Sequence, residues 1–161
     1  MDSLTIRDAQ LQDVPDIVEM WWEMELSHLP YDEKFYSFRD KDSCTQLRTR
    51  QFEEIIKDLP DHLLIVAESD GRLVGYVHAC IQPTIRILTH TKSLVIGSGV
   101  FVRPEYRRKG ICRMMFQRLE EFARERGADF IRLNVHRDNP AVQAYTRMGF
   151  HTKDYEMLKW L

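Results

Sequence analysis

The chain has 161 residues, 43% of them hydrophobic and 30% charged, with a formal net charge of −2. That length suits one domain over residues 1–161 with a real core, and the near-neutral balance gives no bulk attraction to nucleic acid or to an anionic membrane. Cys44, Cys80 and Cys112 are odd in number and form no C-x-x-C pair, which argues against a disulfide framework or a metal site.

No apolar leader or spanning run is visible, so the expectation is a soluble, cytoplasmic protein. Charge is unevenly placed along it. From Glu19 to Asp42 there are seven acids against three bases, and from Arg103 to Arg126 eight bases against four acids. The basic stretch suits a polyanionic ligand, and the acidic, aromatic one suits a cationic amine.

In chain order, Thr5 to Arg7 reads as a short strand. Asp13 is placed to cap a helix with Pro15 in its first turn and Val14, Ile17, Val18, Trp21 and Met24 on one face. Leu29-Pro30 ends it, and residues 31 to 43 read as a loop. A second helix is expected over Thr45 to Leu59. Then comes a hairpin, His62 to Glu68 and Leu73 to Gln82, turning at Ser69-Asp70-Gly71-Arg72. Residues 83 to 92 read as a connection and Ser93 to Val102 as a strand. After Gly110 a helix carries Ile111, Met114, Met115, Leu119, Phe122 and Ala123 on one face and ends near Gly127. Phe130 to Val135 is a strand, Asn139-Pro140 opens a short helix that Gly149 closes, and the tail to Trp160 is expected as a final strand. Alternating strands and helices imply a mixed α/β sheet with helices on both faces.

The segment from Gly99 to Arg113, G-V-F-V-R-P-E-Y-R-R-K-G-I-C-R, carries the most chemistry. Pro104 stops the strand, and Arg107, Arg108 and Lys109 lead through Gly110 into the helix. The first N–H groups of a helix lack intrahelical partners and sit at the positive end of its macrodipole. Gly110 lets backbone approach a phosphate closely. Neither a dinucleotide fingerprint nor a P-loop is present.

This segment resembles the acetyl-coenzyme A loop of the GCN5-related N-acetyltransferases, [RQ]-x-x-G-x-[GA], with Arg107, Gly110 and Cys112 on its fixed positions. Cys112 replaces the usual small residue. Residues 133 to 150, L-N-V-H-R-D-N-P-A-V-Q-A-Y-T-R-M-G-F, are similar to the family's second signature, with Tyr145, Gly149 and Phe150 in register. The resemblance implies a single, mostly antiparallel mixed sheet splayed between its fourth and fifth strands, here Ser93–Val102 and Phe130–Val135. Acetyl-CoA lies in that splay as cosubstrate.

It further implies that backbone groups of Val100, Phe101 and Val102 hold the pantetheine arm and polarise the thioester. The N–H groups from Arg108 through Lys109, Gly110, Ile111 and Cys112 to Arg113 face the pyrophosphate, with charge added by Arg107 and Arg108. Tyr145 matches the tyrosine that protonates the leaving thiolate. Asn139 matches the asparagine on the pantetheine amide, but it stands six residues before the tyrosine instead of seven, with Asp138 at the family spacing. The family's glutamate base falls on Ile96; Glu68, His78 and His136 are substitutes by residue type, a water chain held by Ser98 is another route, and no base is named.

An acceptor is expected under the first helices and the 31–43 loop. There Trp21, Trp22, His28, Tyr31, Phe35, Tyr36 and Phe38 stand among Asp32, Glu33 and Asp40, a mixture that points to a small basic amine or a protein amine. The leading expectation is therefore direct acetyl transfer to a primary amine in a ternary complex, without metal or nucleic acid. Cys112 sits in the phosphate loop, away from the thioester, which argues against a covalent enzyme intermediate. The alternative is a CoA-binding sensor or assembly module without turnover. A homodimer, common in the family, is left open.

Overall fold

The strands β1 (Leu4–Asp8), β2 (His62–Ser69), β3 (Arg72–Arg86), β4 (Thr89–Val102) and β5 (Phe130–Arg132) form one sheet in that order. The computed structural model describes residues 3–37, 40–86 and 89–160, with only the backbone described for 84–86 and 89–90. Phe38, one of the expected acceptor aromatics, lies outside the described residues. Neighbouring strands run antiparallel except β4 and β5, which are parallel.

Side-chain alternation gives the sheet two apolar faces. On β2, Leu64 and Val66 point to one face, where α1 (Val14–Leu26) and α2 (Lys41–Asp58) pack with Ile17, Met20, Trp21 and Phe52. Leu63, Ile65 and Ala67 point to the other, covered by α3 (Ile111–Glu125) through Met115, Phe116, Leu119 and Phe122. A short helix, α4 (Ala141–Arg147), joins that second cluster through Tyr145, whose ring centroid lies 5.8 Å from that of Phe116. Among the described residues no helix is long and apolar enough to cross a membrane.

Most expected elements stand, and the departures have physical causes. Asp13 does not cap α1; its carboxylate accepts from Gln10 N–H at 2.7 Å and from Arg7 at 2.7 and 3.0 Å, closing a 3-10 turn at Leu11–Asp13. α2 starts at Lys41, earlier than expected, because Asp40 caps it by accepting from Ser43 N–H at 2.9 Å. The expected connection at 83–92 is instead the far arm of a long hairpin, paired from Gln82↔Ser93 to Arg86↔Thr89. Pro83 is tolerated there because β2 begins opposite Cys80, leaving β3 an edge strand beyond that point. On α3 the inward face uses Phe116, while Met114 is 37% exposed. The tail after Phe150 forms no strand and is exposed throughout residues 151–160.

Candidate active site

β4 and β5 pair only from Ser93↔Phe130 to Val95↔Arg132. β5 ends there, and β4 continues to Val102 with β3 on one side and, among the described residues, no strand on the other. The edge from Ile96 to Val102 is therefore open, as a splayed sheet requires. Backbone groups that point away from β3 along this edge have no neighbouring strand to bond; Val102 O is taken by Arg107 and the Ser98 backbone by His78 and Tyr76. Val100, Phe101 and Val102 lie on it, with the Phe101 side chain buried against α1 and Val102 against the α3 cluster. Their side chains serve the core while their backbone serves the edge.

The edge runs into the basic turn. Arg107 does not reach out: its Nε donates to Val102 O at 2.9 Å and its guanidinium lies over the Phe101 ring, latching the turn to the strand end. Arg108 takes a left-handed conformation (φ 63°), and Lys109 lies 4.9 Å over the Tyr106 ring. Gly110, at φ 81°, opens α3, and space around its would-be Cβ is empty. The first intrahelical bond is Met114 N–H to Gly110 O, 3.1 Å, so Ile111, Cys112 and Arg113 carry the orphan donors. A closely approached glycine, orphan N–H groups and exposed cations form a turn whose chemistry fits a pyrophosphate.

Tyr145 and Cys112 meet beside this turn. Burial pushes the Cys112 thiol up to about 11. Burial, then the neighbouring Cys112, raise the Tyr145 hydroxyl well above the ordinary tyrosine value. Both groups are thus protonated near neutrality, and Tyr145 is a donor. Asn139 Oδ1 accepts from Ala141 N–H at 2.9 Å, so its side chain caps the start of α4.

β4 also carries a bulge. Val77 pairs with Val100 and Ala79 with Ile96, so Gly97, Ser98 and Gly99 together oppose His78. Ser98 N–H donates to His78 Nδ1 at 3.0 Å, His78 Nε2 lies 3.0 Å from His62 Nδ1, and Ser98 Oγ accepts from Arg48 Nη1 at 2.6 Å. Burial, then the charges of His62 and Arg48, hold His78 down to about 3. With both ring nitrogens engaged inside the protein, His78 is not available as a base.

The other substitutes are also accounted for. Glu68 is bound to Arg7, accepting from its Nε at 2.8 Å. His136 Nδ1 accepts from Asp138 N–H at 3.2 Å, and its ring stacks 5.1 Å from Tyr31. That stack joins the end of β5 to the 28–36 segment, where His28 and Tyr36 also stack at 5.1 Å. Phe35 meets Tyr36 edge-on and is 51% exposed. Trp21 is core, as its helical position implies. Asp40 and Asp32 are engaged locally, Asp32 accepting from Phe35 N–H at 3.0 Å. Arg48 and His62 carry no motif and escape a reading of the chain; an arginine on a helix or a histidine at a strand start gives no local signal.

The chain is 34% identical over 95 residues to a streptothricin acetyltransferase of Streptomyces lavendulae, covering 58% of this chain and 47% of that protein. It thus spans about half of that relative's length. Across 94% of the chain and 91% of the relative it is 24% identical to a spermidine N(1)-acetyltransferase of Thermoplasma acidophilum. The crystal structure of a predicted acetyltransferase with acetyl-CoA from Clostridium acetobutylicum superposes with a TM-score of 0.76 at 19% identity over 99% of this chain and 96% of its own, a likeness of fold. The model of the acetyltransferase (GNAT) family matches residues 16–150, from the start of α1 through the tyrosine helix and its closing glycine, and the chain belongs to that family.

Proposed function

We propose that the protein is an N-acetyltransferase that moves an acetyl group from acetyl-CoA to a primary amine by direct attack in a ternary complex. The observation that carries the reading is the open β4 edge from Ile96 to Val102, which leads through a 3-10 turn at Pro104–Tyr106 to Gly110 and the orphan N–H groups of α3. Acetyl-CoA supplies an activated thioester. Residues Arg108 to Arg113 would hold its pyrophosphate, with Lys109 adding charge, and the backbone of Val100, Phe101 and Val102 would align its pantetheine arm.

Tyr145 would give its proton to the departing thiolate. Burial keeps the hydroxyl protonated, so it stands as a hydrogen-bond donor to the sulfur while negative charge develops there. Cys112 would stay a spectator, since a protonated thiol is a poor nucleophile, which supports direct transfer over an acyl-enzyme. In the sheet splay Asn139 would be a cap first, its amide nitrogen left for the pantetheine. The acidic groups around the 25–36 segment, Glu25 and Asp32, would attract an ammonium to the mouth.

The test is thiol release from acetyl-CoA across a set of primary amines, with CoA binding followed in parallel by calorimetry. Amine-dependent release establishes the transferase. CoA binding with no release on any amine establishes instead the sensor reading, and absence of CoA binding overturns both.

A further inference from the structure

Three buried side-chain nitrogens find no hydrogen-bond partner among the described residues: Trp21 Nε1, His28 Nδ1 and Arg48 Nε. The first and third are in contact with each other, while His28 Nδ1 lies 3.9 Å from Glu25 Oε2. The Arg48 guanidinium lies 4.5 Å over the Trp21 ring, and Trp21 and His28 are seven residues apart along α1 and its closing turn, on the same side. The indole and guanidinium nitrogens are donors only, so what this place lacks is an acceptor.

Arg48 is the sharper case. Its guanidinium is half-buried, donates once to the neutral Ser98 Oγ, and pairs with no carboxylate among the described residues. Stacking on Trp21 and Phe52 accounts for its ring contacts but leaves Nε unbonded. A cation drawn out of water with one neutral partner is incompletely compensated. A carboxylate compensates it best, because the planar fork takes two carboxylate oxygens at once.

The position matters as much as the charge. Ser98, which fixes the guanidinium, lies on the β4 bulge two residues before Val100, so Arg48 stands beside the open edge on the α1–α2 face. Glu25 of α1 is within electrostatic reach of Arg48. One positive and one negative group, within electrostatic reach of each other but unpaired, match the carboxylate and ammonium of a single zwitterion.

We propose that Arg48 binds a carboxylate of the acceptor, which makes the acetylated amine amino-acid-like and not a polyamine. This rests on reading the site as an acetyl-CoA-dependent transferase. Small side-chain shifts on binding are ordinary and bring the buried Nε into the same contact.

The experiment compares matched acceptors: amino acids, their carboxamides and their decarboxylated amines, each followed by thiol release from acetyl-CoA. The expected result is a kcat/KM at least tenfold higher for the carboxylate-bearing form, a ratio that falls toward one in Arg48→Gln and is partly kept in Arg48→Lys. Equal or better turnover of carboxamides or diamines overturns the proposal. Calorimetric titration with CoA reports separately on the transferase reading and on the integrity of each variant; if Arg48→Gln fails to fold, Arg48→Lys and the wild-type series decide. If no amine releases thiol, or CoA does not bind, the same amines are titrated directly. Binding of carboxylate forms to the wild type and not to the variant then supports Arg48, and no binding overturns it.

Discussion

His78 and Ser98 face each other across the bulge of β4, where the Ser98 N–H donates to His78 Nδ1 at 3.0 Å. That bond makes Nδ1 an acceptor, so neutral His78 carries its proton on Nε2 and donates it to His62 Nδ1, 3.0 Å away. The contact sets one tautomer on each ring and holds the Ser98 hydroxyl against Arg48. A buried network of this kind is stable only while its members keep their protonation states.

Acid should therefore weaken the fold through His78. Unfolded, the imidazole titrates near 6.5; folded, it is held at about 3 by burial first and by His62 and Arg48 second. Between those values the unfolded chain binds the proton and the folded one does not, so stability is full above the unfolded value and falls as the pH drops. His62 is lowered by burial too and acts in the same direction. Urea unfolding at pH 7 and pH 5 should show a loss of about 2 kcal/mol for the wild type, with the pH dependence markedly reduced in His78→Gln. Equal stability at the two pH values in the wild type contradicts it.

Gly99 is a point of the bulge where a side chain would be strained. Its φ is 103°, and a Cβ there would run into the Met24 thioether with the Tyr76 hydroxyl close behind. Gly99→Ala combines backbone strain with overpacking and should cost about 3 kcal/mol. Chemical denaturation measures it; a cost under about 1 kcal/mol would mean that Met24 moves aside freely.

Tyr145→Phe removes only the hydroxyl and leaves the ring contacts with Phe116 and Phe150. Under the proposed chemistry kcat falls at least tenfold, within the usual range for a lost proton donor, while CoA affinity changes little. Because burial raises the Tyr145 pKa, the wild-type rate should show no descending limb from this group below about pH 9. An unaltered kcat would remove Tyr145 from the reaction.

Cys112 should be sluggish toward thiol reagents. With its pKa pushed up to about 11 by burial, its thiolate fraction near neutrality is about a hundredfold below that of a free cysteine. Iodoacetamide labelling followed by mass spectrometry, against a cysteine peptide, tests this. Labelling as fast as the peptide would show an accessible, ordinary thiol.

Much of the architecture was legible along the chain because it is written in local chemistry. Pro104, the cations and Gly110 mark the end of a strand and the start of α3, whose apolar period places Ile111, Met115 and Leu119 inward. Asp70-Gly71 between two apolar runs marks the hairpin, and both residues take the positive φ its turn needs. Local signals misplaced other parts. Residues 83 to 92 read as a connection although they pair as strand, and the aromatic tail after Phe150 reads as a strand although no strand among the described residues pairs with it.

What only the tertiary structure decided is the polar cluster on the α1–α2 side of the β4 bulge. Arg48, His62, His78 and Ser98 meet through contacts between residues 16 to 50 positions apart, and no periodicity encodes such a meeting. An arginine on a helix looks solvated until the fold lays it over Trp21, and the bulge that lifts Ser98 toward it exists only in the register of β3 against β4. Backbone signals act over a few residues and survive in sequence. Burial, the lack of a counter-ion and the pKa shifts they cause belong to the packed chain.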